Sequence, residues 1–217
     1  MAPPRALVIV GAGGQGREVL DTVEALNAAA PAPVWDFRGF LADDDRSAPL
    51  LAVRGVGVVG PVALLHEIDA DYVIAIGDPA VRRAVDEIAT AAGRRPATLV
   101  HPTAQVGSAV TLAPGAYLAP GVVLTTNVTV GRHSIVNVAA TLSHDVVVGD
   151  FATVGPGSHL AGNVQVGDDA DLGVGVVARP GSAIGTGSVV GAGAVVIGDL
   201  APGIVAVGVP AASLGPS

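Results

Sequence analysis

The chain contains no cysteine, which excludes disulfides, thiolate metal sites and a cysteine nucleophile together. It is also short of positive charge. Only 11 basic residues, every one an arginine, stand against 19 acidic ones, for a net charge near −8. Such a balance repels a phosphate backbone, so nucleic acid is not an expected partner, and any phosphorylated ligand must be held by local donors. The lack of lysine, beside abundant Ala, Val and Gly, reads as compositional bias without functional content. No long apolar run opens the chain either. In "MAPPRALVIVGAGG" the apolar core is about five residues, shorter than the h-region of a signal peptide and far too short to cross a bilayer. A cytoplasmic protein without a membrane span is expected.

What is present divides into two kinds of text. Half of the 217 residues are apolar, enough for one domain or two small ones. Over residues 1–97, strand-like and helix-like segments alternate: "ALVIV", then "GAGGQG", then "REVLDTVEAL" with Val19, Leu20, Val23 and Leu26 at helical spacing. "VWDFRGFLADDD" reads as a strand entering an acidic turn, "ALLHEI" as a short helix, "YVIAIG" as a third strand and "PAVRRAVDEIATAAG" as a helix opened by proline. That order predicts a small parallel α/β domain of the βαβ type, half of a Rossmann-like fold.

Residues 98–217 follow another rule. After the joint "RRPATLVHPTA", every sixth position from Val106 to Val196 is a large aliphatic except Ala178, and the position after it is often glycine, as at Gly107, Gly149, Gly155 and Gly191. A period of six fits neither a helix nor an alternating strand. It is the hexapeptide repeat, in which short strands wrap a β-helical solenoid with the aliphatics stacked inside. A low-complexity Val/Gly segment would not keep that period unbroken.

In the first half, "GAGGQG" satisfies G-x-G-x-x-G through Gly11, Gly13 and Gly16, with Asp36 about twenty residues beyond. The glycines permit a tight turn, and the following helix N-terminus attracts phosphate. Three strands supply only half of a dinucleotide fold, so one nucleotide fits better than two. A glycine turn needed only for packing is the alternative.

The two halves together resemble the sugar O- and N-acetyltransferases of the NeuD and PglD type. The resemblance is carried by "VIVGAGGQGREVLD", "GFLADDD", "IGDPAVRRAV", "HPTA", "SHDVVVGDF", "LAGNVQVG" and "VGVPA". It implies a left-handed β-helix, a homotrimer with the site between neighbouring subunits, and acetyl-coenzyme A as donor. By the same resemblance His144 is the base, Asp145 the acidic residue beside it and Gly162 the backbone donor to the acetyl carbonyl. Ala192 matches a position whose N–H meets the pantetheine arm. Where relatives often carry a second histidine, this chain has Thr153; that role is absent, filled by Thr153, or taken by His159. Arg179 is a candidate for the coenzyme phosphates that basic tail residues meet in relatives.

With three hexapeptides per coil, residues eighteen apart stack about 4.8 Å from each other. His144 then sits over Gly162, and Asn127, Asp145 and Asn163 form a column. Acyl transfer to an amine or hydroxyl needs a base and an oxyanion donor, and a histidine oriented by a carboxylate supplies the first. Solvated corner residues are the plain alternative for His144 and Asp145.

In the α/β half the resemblance implies a nucleotide-linked amino sugar held by Gly11, Gly13, Gly14, Gln15, Gly16 and Gly77, with Asp43 and Asp44 at the base or ribose. Gln15 stands where many relatives have histidine, and Ala42 where they have an aspartate. A metal shared by His133, His144 and His159 is not expected, since their spacing matches no ligand pattern. His101 reads as structural and His66 as a surface helix residue. Faces of small residues such as Ala119, Ala139, Ala140 and Ala161 suit packing against further copies. The expected activity is N-acetylation of the amino group on a nucleotide-linked deoxysugar. O-acetylation, another acyl donor, a silent nucleotide-sugar-binding scaffold and a nicotinamide protein are the alternatives.

Overall fold

Strand β1 (Arg5–Val10) has Leu7, Val8, Ile9 and Val10 all fully buried. A run apolar on both faces belongs in the middle of a parallel sheet with helices on either side. The computed structural model, which describes residues 3–44 and 46–217, places it there. Strand β1 pairs in parallel with β2 (Trp35–Leu41) on one side and β4 (Asp71–Ile74) on the other. A fourth strand, β3 (Val58–Gly60), extends the edge beyond β2, for a sheet order β3-β2-β1-β4. Helices α1 (Gly14–Ala29), α2 (Ala48–Ala52) and α3 (Pro79–Ala91) complete this unit, which runs to Pro102.

The sequence reading misses β3 and α2. Each is short, three and five residues, and lies in a stretch where glycines interrupt any period. The segment expected as a short helix is a 3-10 turn, Val62–His66, opened by Pro61. The sheet reverses its direction of winding at β1, with β2 to one side and β4 to the other. The crevice beyond the C-terminal ends of β1 and β4 is therefore the place where α/β sheets bind ligands.

The second unit, Thr103–Ser217, is a parallel β-helix. Sixteen two-residue strands recur every six residues from Gln105–Val106 to Val195–Val196. Each pairs in parallel with the strand eighteen residues away, as Thr129 with Val147 and Thr141 with His159. The second residue of each strand is the aliphatic of the sequence period. From Leu118 onward these side chains are buried, whereas Val106, in the first strand, remains 43% exposed. A hairpin of Ile204–Val207 and Ala212–Pro216 ends the coil.

The repeat makes two separate demands on small residues. Every sixth residue from Ala109 to Gly193 has a positive φ near 50–80°. Glycine fills many of these corners, and Ala109, Asn127, His133, Ala139, Asp145, Phe151, Asn163 and Asp169 occupy the others. Left-handed backbone costs an ordinary side chain about 1–2 kcal/mol, and Asn and Asp tolerate it best. The glycines that follow the buried aliphatic serve a different purpose. A Cβ on Gly155 would stand 2.5 Å from the Leu172 carbonyl oxygen of the next coil, so close stacking, not turn geometry, excludes a side chain there.

The small-residue face expected for self-association is only partly on the surface. Ala119 and Ala140 are fully buried inside the coil, while Ala139 is exposed and Ala161 half-buried. In a period of six, a run of small residues spans inward and outward positions alike.

Candidate functional site

A cavity of about 980 Å³ opens at the β1/β4 reversal. Gly11 and Gly13 line it from the loop after β1, Gly14 and Gln15 from the first turn of α1, Gly77 from the loop after β4, and Asp43 and Asp44 from the loop after β2. Helix α1 begins at this rim with Gly13 as N-cap and no side-chain cap hydrogen bond. Helix α3, by contrast, is capped by Asp78, whose Oδ1 accepts from the N–H groups of Ala80 and Val81. The uncapped α1 N-terminus keeps its donors and positive dipole end for an anion.

Gly16, expected among the ligand contacts, is not in the lining. It is buried, and a Cβ there would overlap the Gly11 carbonyl, so its role is close packing of α1 on β1. Asp36, the acidic residue of the dinucleotide fingerprint, lies near the start of β2 and pairs with Arg38 at 2.5 Å. The C-terminal end of β2 that reaches the cavity is Leu41. A dinucleotide reading loses its ribose contact for that reason.

The acidic turn is already engaged. Asp43 Oδ1 accepts from the Val62 N–H at 2.9 Å, which holds the 3-10 turn beside the cavity. Asp44 accepts from the Arg46 backbone N–H at 3.1 Å and from its Nη2 at 2.6 Å. The hydrogen bond from the Arg46 side chain is the main reason that the Asp44 carboxyl is held below its ordinary range. Asp45, last of the "GFLADDD" motif, lies outside the described residues.

Sequence reasoning missed several lining residues. Arg46, Ser47 and His66 reach the cavity, and Val81, Val85 and Ile88 of α3 form an apolar wall. The signal for the wall was there, since those positions share one helix face, but a core-facing stripe and a cavity-facing one look alike. His66, read as a surface helix residue, is exposed on the 3-10 turn and faces this cavity.

In the coil, His144 Nδ1 lies 2.8 Å from Asp145 Oδ2. Asp145 sits at a left-handed corner, φ 62°, directly between Asn127 and Asn163 in neighbouring coils, and Asn127 Nδ2 donates to its Oδ1 at 3.2 Å. The hydrogen bond with His144 first, and that from Asn127 second, hold the Asp145 carboxyl below its ordinary range. An ionised carboxylate accepts, so Nδ1 carries the hydrogen and Nε2 is left with its lone pair.

The His144 ring rests on Gly162, where any Cβ would overlap it. The backbone ladder agrees, with Asn163 N–H donating to the His144 carbonyl at 2.9 Å. Among the described residues nothing accepts from the Gly162 N–H. An imidazole and a backbone N–H donor therefore stand next to each other on adjacent coils, at a corner where His144 is 55% exposed.

The remaining expected residues lie elsewhere on the coil. Thr153 is on another sheet, paired with Ile135 and Asp171. His159 is on the sheet that precedes the His144 corner, its Nδ1 2.8 Å from the Thr141 hydroxyl. Arg179 is exposed, with Nη1 donating to the Ile197 carbonyl. Ala192 is exposed at a corner, and its N–H has no acceptor among the described residues. His133 is buried and stacks on Phe151 at 5.7 Å. Burial lowers the His101 pKa. No cluster of three metal-ligating side chains occurs among the described residues, and no helix there is long and apolar enough to cross a membrane.

Comparison with known proteins accounts for this combination. Residues 6–88 match the family model of the PglD N-terminal domain. The acetyltransferase domain of PglB from Neisseria gonorrhoeae, solved with acetyl coenzyme A, is 31% identical with a TM-score of 0.88, over 98% of this chain and 100% of that one. A histidine-to-asparagine mutant of perosamine N-acetyltransferase from Caulobacter crescentus, in complex with CoA and GDP-perosamine, is 33% identical with a TM-score of 0.86, over 97% of each chain. WeeI from Acinetobacter baumannii is 27% identical with a TM-score of 0.83, over 96% of this chain and 99% of that one. No curated protein sequence matches. With an α/β unit and a left-handed parallel β-helix shared along almost the whole length, and identity above 30% to two of these enzymes, the chain belongs to the NeuD/PglD-like sugar acetyltransferases.

Proposed function

We propose that the protein transfers the acetyl group of acetyl-coenzyme A to the amino group of a nucleotide-linked amino-deoxysugar. The observation that carries this is the orientation of His144, whose Nδ1 is committed to Asp145 while its ring lies against Gly162. The gonococcal domain bound to acetyl coenzyme A and the Caulobacter N-acetyltransferase bound to CoA and GDP-perosamine support the donor and acceptor classes.

The acceptor amine attacks the thioester carbonyl carbon while His144 Nε2 takes its proton. The Gly162 N–H stabilises the oxyanion that forms, and Asp145 stabilises the imidazolium. The carbon–sulfur bond then breaks, and the imidazolium proton passes to the departing thiolate, leaving an amide and free coenzyme A. Toward the donor, Ala192 offers its free N–H to the pantetheine arm, Thr153 a hydroxyl and Arg179 a cation for phosphate. In the α/β unit the uncapped α1 N-terminus suits the diphosphate, with Gln15, Asp43, Asp44 and Gly77 around it. The working form is a homotrimer, and the supply of both substrates places it in the cytoplasm.

The test is thiol release from acetyl-coenzyme A against UDP-, dTDP- and GDP-linked amino sugars. Turnover with one of them, and mass addition at its amino group, is the expected result. Coenzyme A binding without turnover on any amine would replace the acceptor with a hydroxyl or the donor with another acyl thioester. Absence of coenzyme A binding would leave a nucleotide-sugar-binding scaffold.

A further inference from the structure

The cavity has a second wall, and its shape is set from inside the α/β unit. Arg82 of α3 is fully buried and is not part of the lining. A guanidinium in the interior is costly unless its hydrogens are used. Here one nitrogen, Nη1, donates to two successive carbonyls, Ile76 at 2.9 Å and Gly77 at 2.7 Å. Both belong to the loop that β4 delivers to the cavity. One turn further along α3, buried Asp86 accepts from the hydroxyl of Tyr72 in β4, so helix and strand are tied together beneath that loop.

In a trans peptide the carbonyl of one residue and the N–H of the next point in opposite directions, and neither bond here is cis. Drawing both carbonyls back to Arg82 turns the N–H groups of Gly77 and Asp78 away from it. Ile76 and Gly77 line the cavity, whereas Arg82 does not. Among the described residues neither N–H has an acceptor. Nothing stands within 4 Å of where a Gly77 Cβ would be, so the approach is open. Two successive N–H groups turned to one side can donate together to an anion, and Gly13, Gly14 and Gln15 at the α1 N-terminus line the same cavity.

We propose that Arg82 is a positioning residue that presets a second backbone clamp, the N–H groups of Gly77 and Asp78, for the diphosphate of the nucleotide-linked sugar. The inference rests on the nucleotide-sugar reading above. Its distinguishing consequence is that Arg82 governs affinity for the phosphates and not for the nucleoside.

Calorimetric titration of the full chain with UDP, GDP and dTDP, each beside its own nucleoside, reads this directly. Arg82→Met weakens the best-binding diphosphate about tenfold, the loss of a pair of charge-assisted contacts, and changes its nucleoside less than about twofold. Arg82→Lys recovers part of the affinity, because one ammonium can reach both carbonyls, and it carries the same comparison where the methionine variant does not fold. Equal weakening of diphosphate and nucleoside, or an unchanged preference in the folded variants, overturns the clamp while leaving the nucleotide reading intact. A wild-type protein that binds none of the three diphosphates overturns that reading, and the clamp with it.

Discussion

The α/β unit and the β-helix arrive at ligand-binding chemistry in opposite ways. In the α/β unit no two elements are alike, and the cavity is assembled from three loops, a 3-10 turn and one helix face. Polar groups there are read from their neighbours: Asp43 holds Val62, Asp44 holds Arg46, and Arg82 holds the Ile76–Gly77 loop. In the coil every six residues repeat the same structural task, so a departure from the repeat stands out. The column Ser108, Thr126, His144, Gly162 has one imidazole resting on one glycine. Regular architecture makes an exception visible, while irregular architecture hides one among residues that differ for packing reasons.

The largest effect that separates the two regions is on chemistry. His144→Ala removes about 10²–10⁴ of turnover, while nucleotide binding to the α/β unit and the unfolding midpoint stay at wild-type values. Retained turnover would move the reaction away from the coil corner.

Next comes a contrast inside the coil. Gly155→Ala meets the Leu172 and Gly173 backbone of the next coil and costs about 3 kcal/mol. Gly157→Ala, two residues on, has φ 63° and open space, and costs about 1 kcal/mol. Denaturant unfolding of the pair measures the gap, and equal costs would refute the two-task account of the repeat.

Smaller in reach is Gly162→Ala, whose Cβ overlaps the His144 ring. Swinging the imidazole away from Asp145 lowers kcat about tenfold or more, with the affinity for coenzyme A unchanged. A wild-type kcat would show that the ring does not act from this position.

The subtlest concerns charge. Asn127→Ala deletes one of the two hydrogen bonds that hold the Asp145 carboxyl below its ordinary range. Its pKa therefore rises toward the usual carboxylate value, still below neutrality. A depressed carboxylate contributes stability that is present above its unfolded pKa and lost as pH falls through its folded one. In the variant that loss is smaller and is complete at a higher, less acid pH. Carbon-detected NMR titration of the Asp145 carboxyl checks the direction, and no movement would assign the depression to His144 alone.

The sequence made the coil legible almost residue by residue, because a strict period converts position into orientation. The stacking of His144 over Gly162, and of Asn127, Asp145 and Asn163, follows from counting by eighteen. What counting missed was that Asp145 answers two demands at once, a left-handed corner and a partner for the imidazole. In the α/β unit the glycine loop and acidic turn were legible as motifs, but their contacts were not. Asp36 and Gly16 fitted a fingerprint by spacing, yet one lies at the wrong end of its strand and the other is buried in the first turn of α1. Spacing along a chain does not say which end of a parallel strand meets the ligand.

By itself, then, the sequence determined the two architectures and the coil corner at which His144 stacks on Gly162, since both rest on local periodicity and on residues at fixed register. Only the tertiary structure decided which loops converge on the cavity, that the acidic turn is already engaged, and that buried Arg82 orients a loop lining it. Whether the partner is near in the chain, as for Asp44 and Arg46, or distant, as for Asp43 and Val62, burial and hydrogen-bond geometry rather than pattern assign each polar group its task.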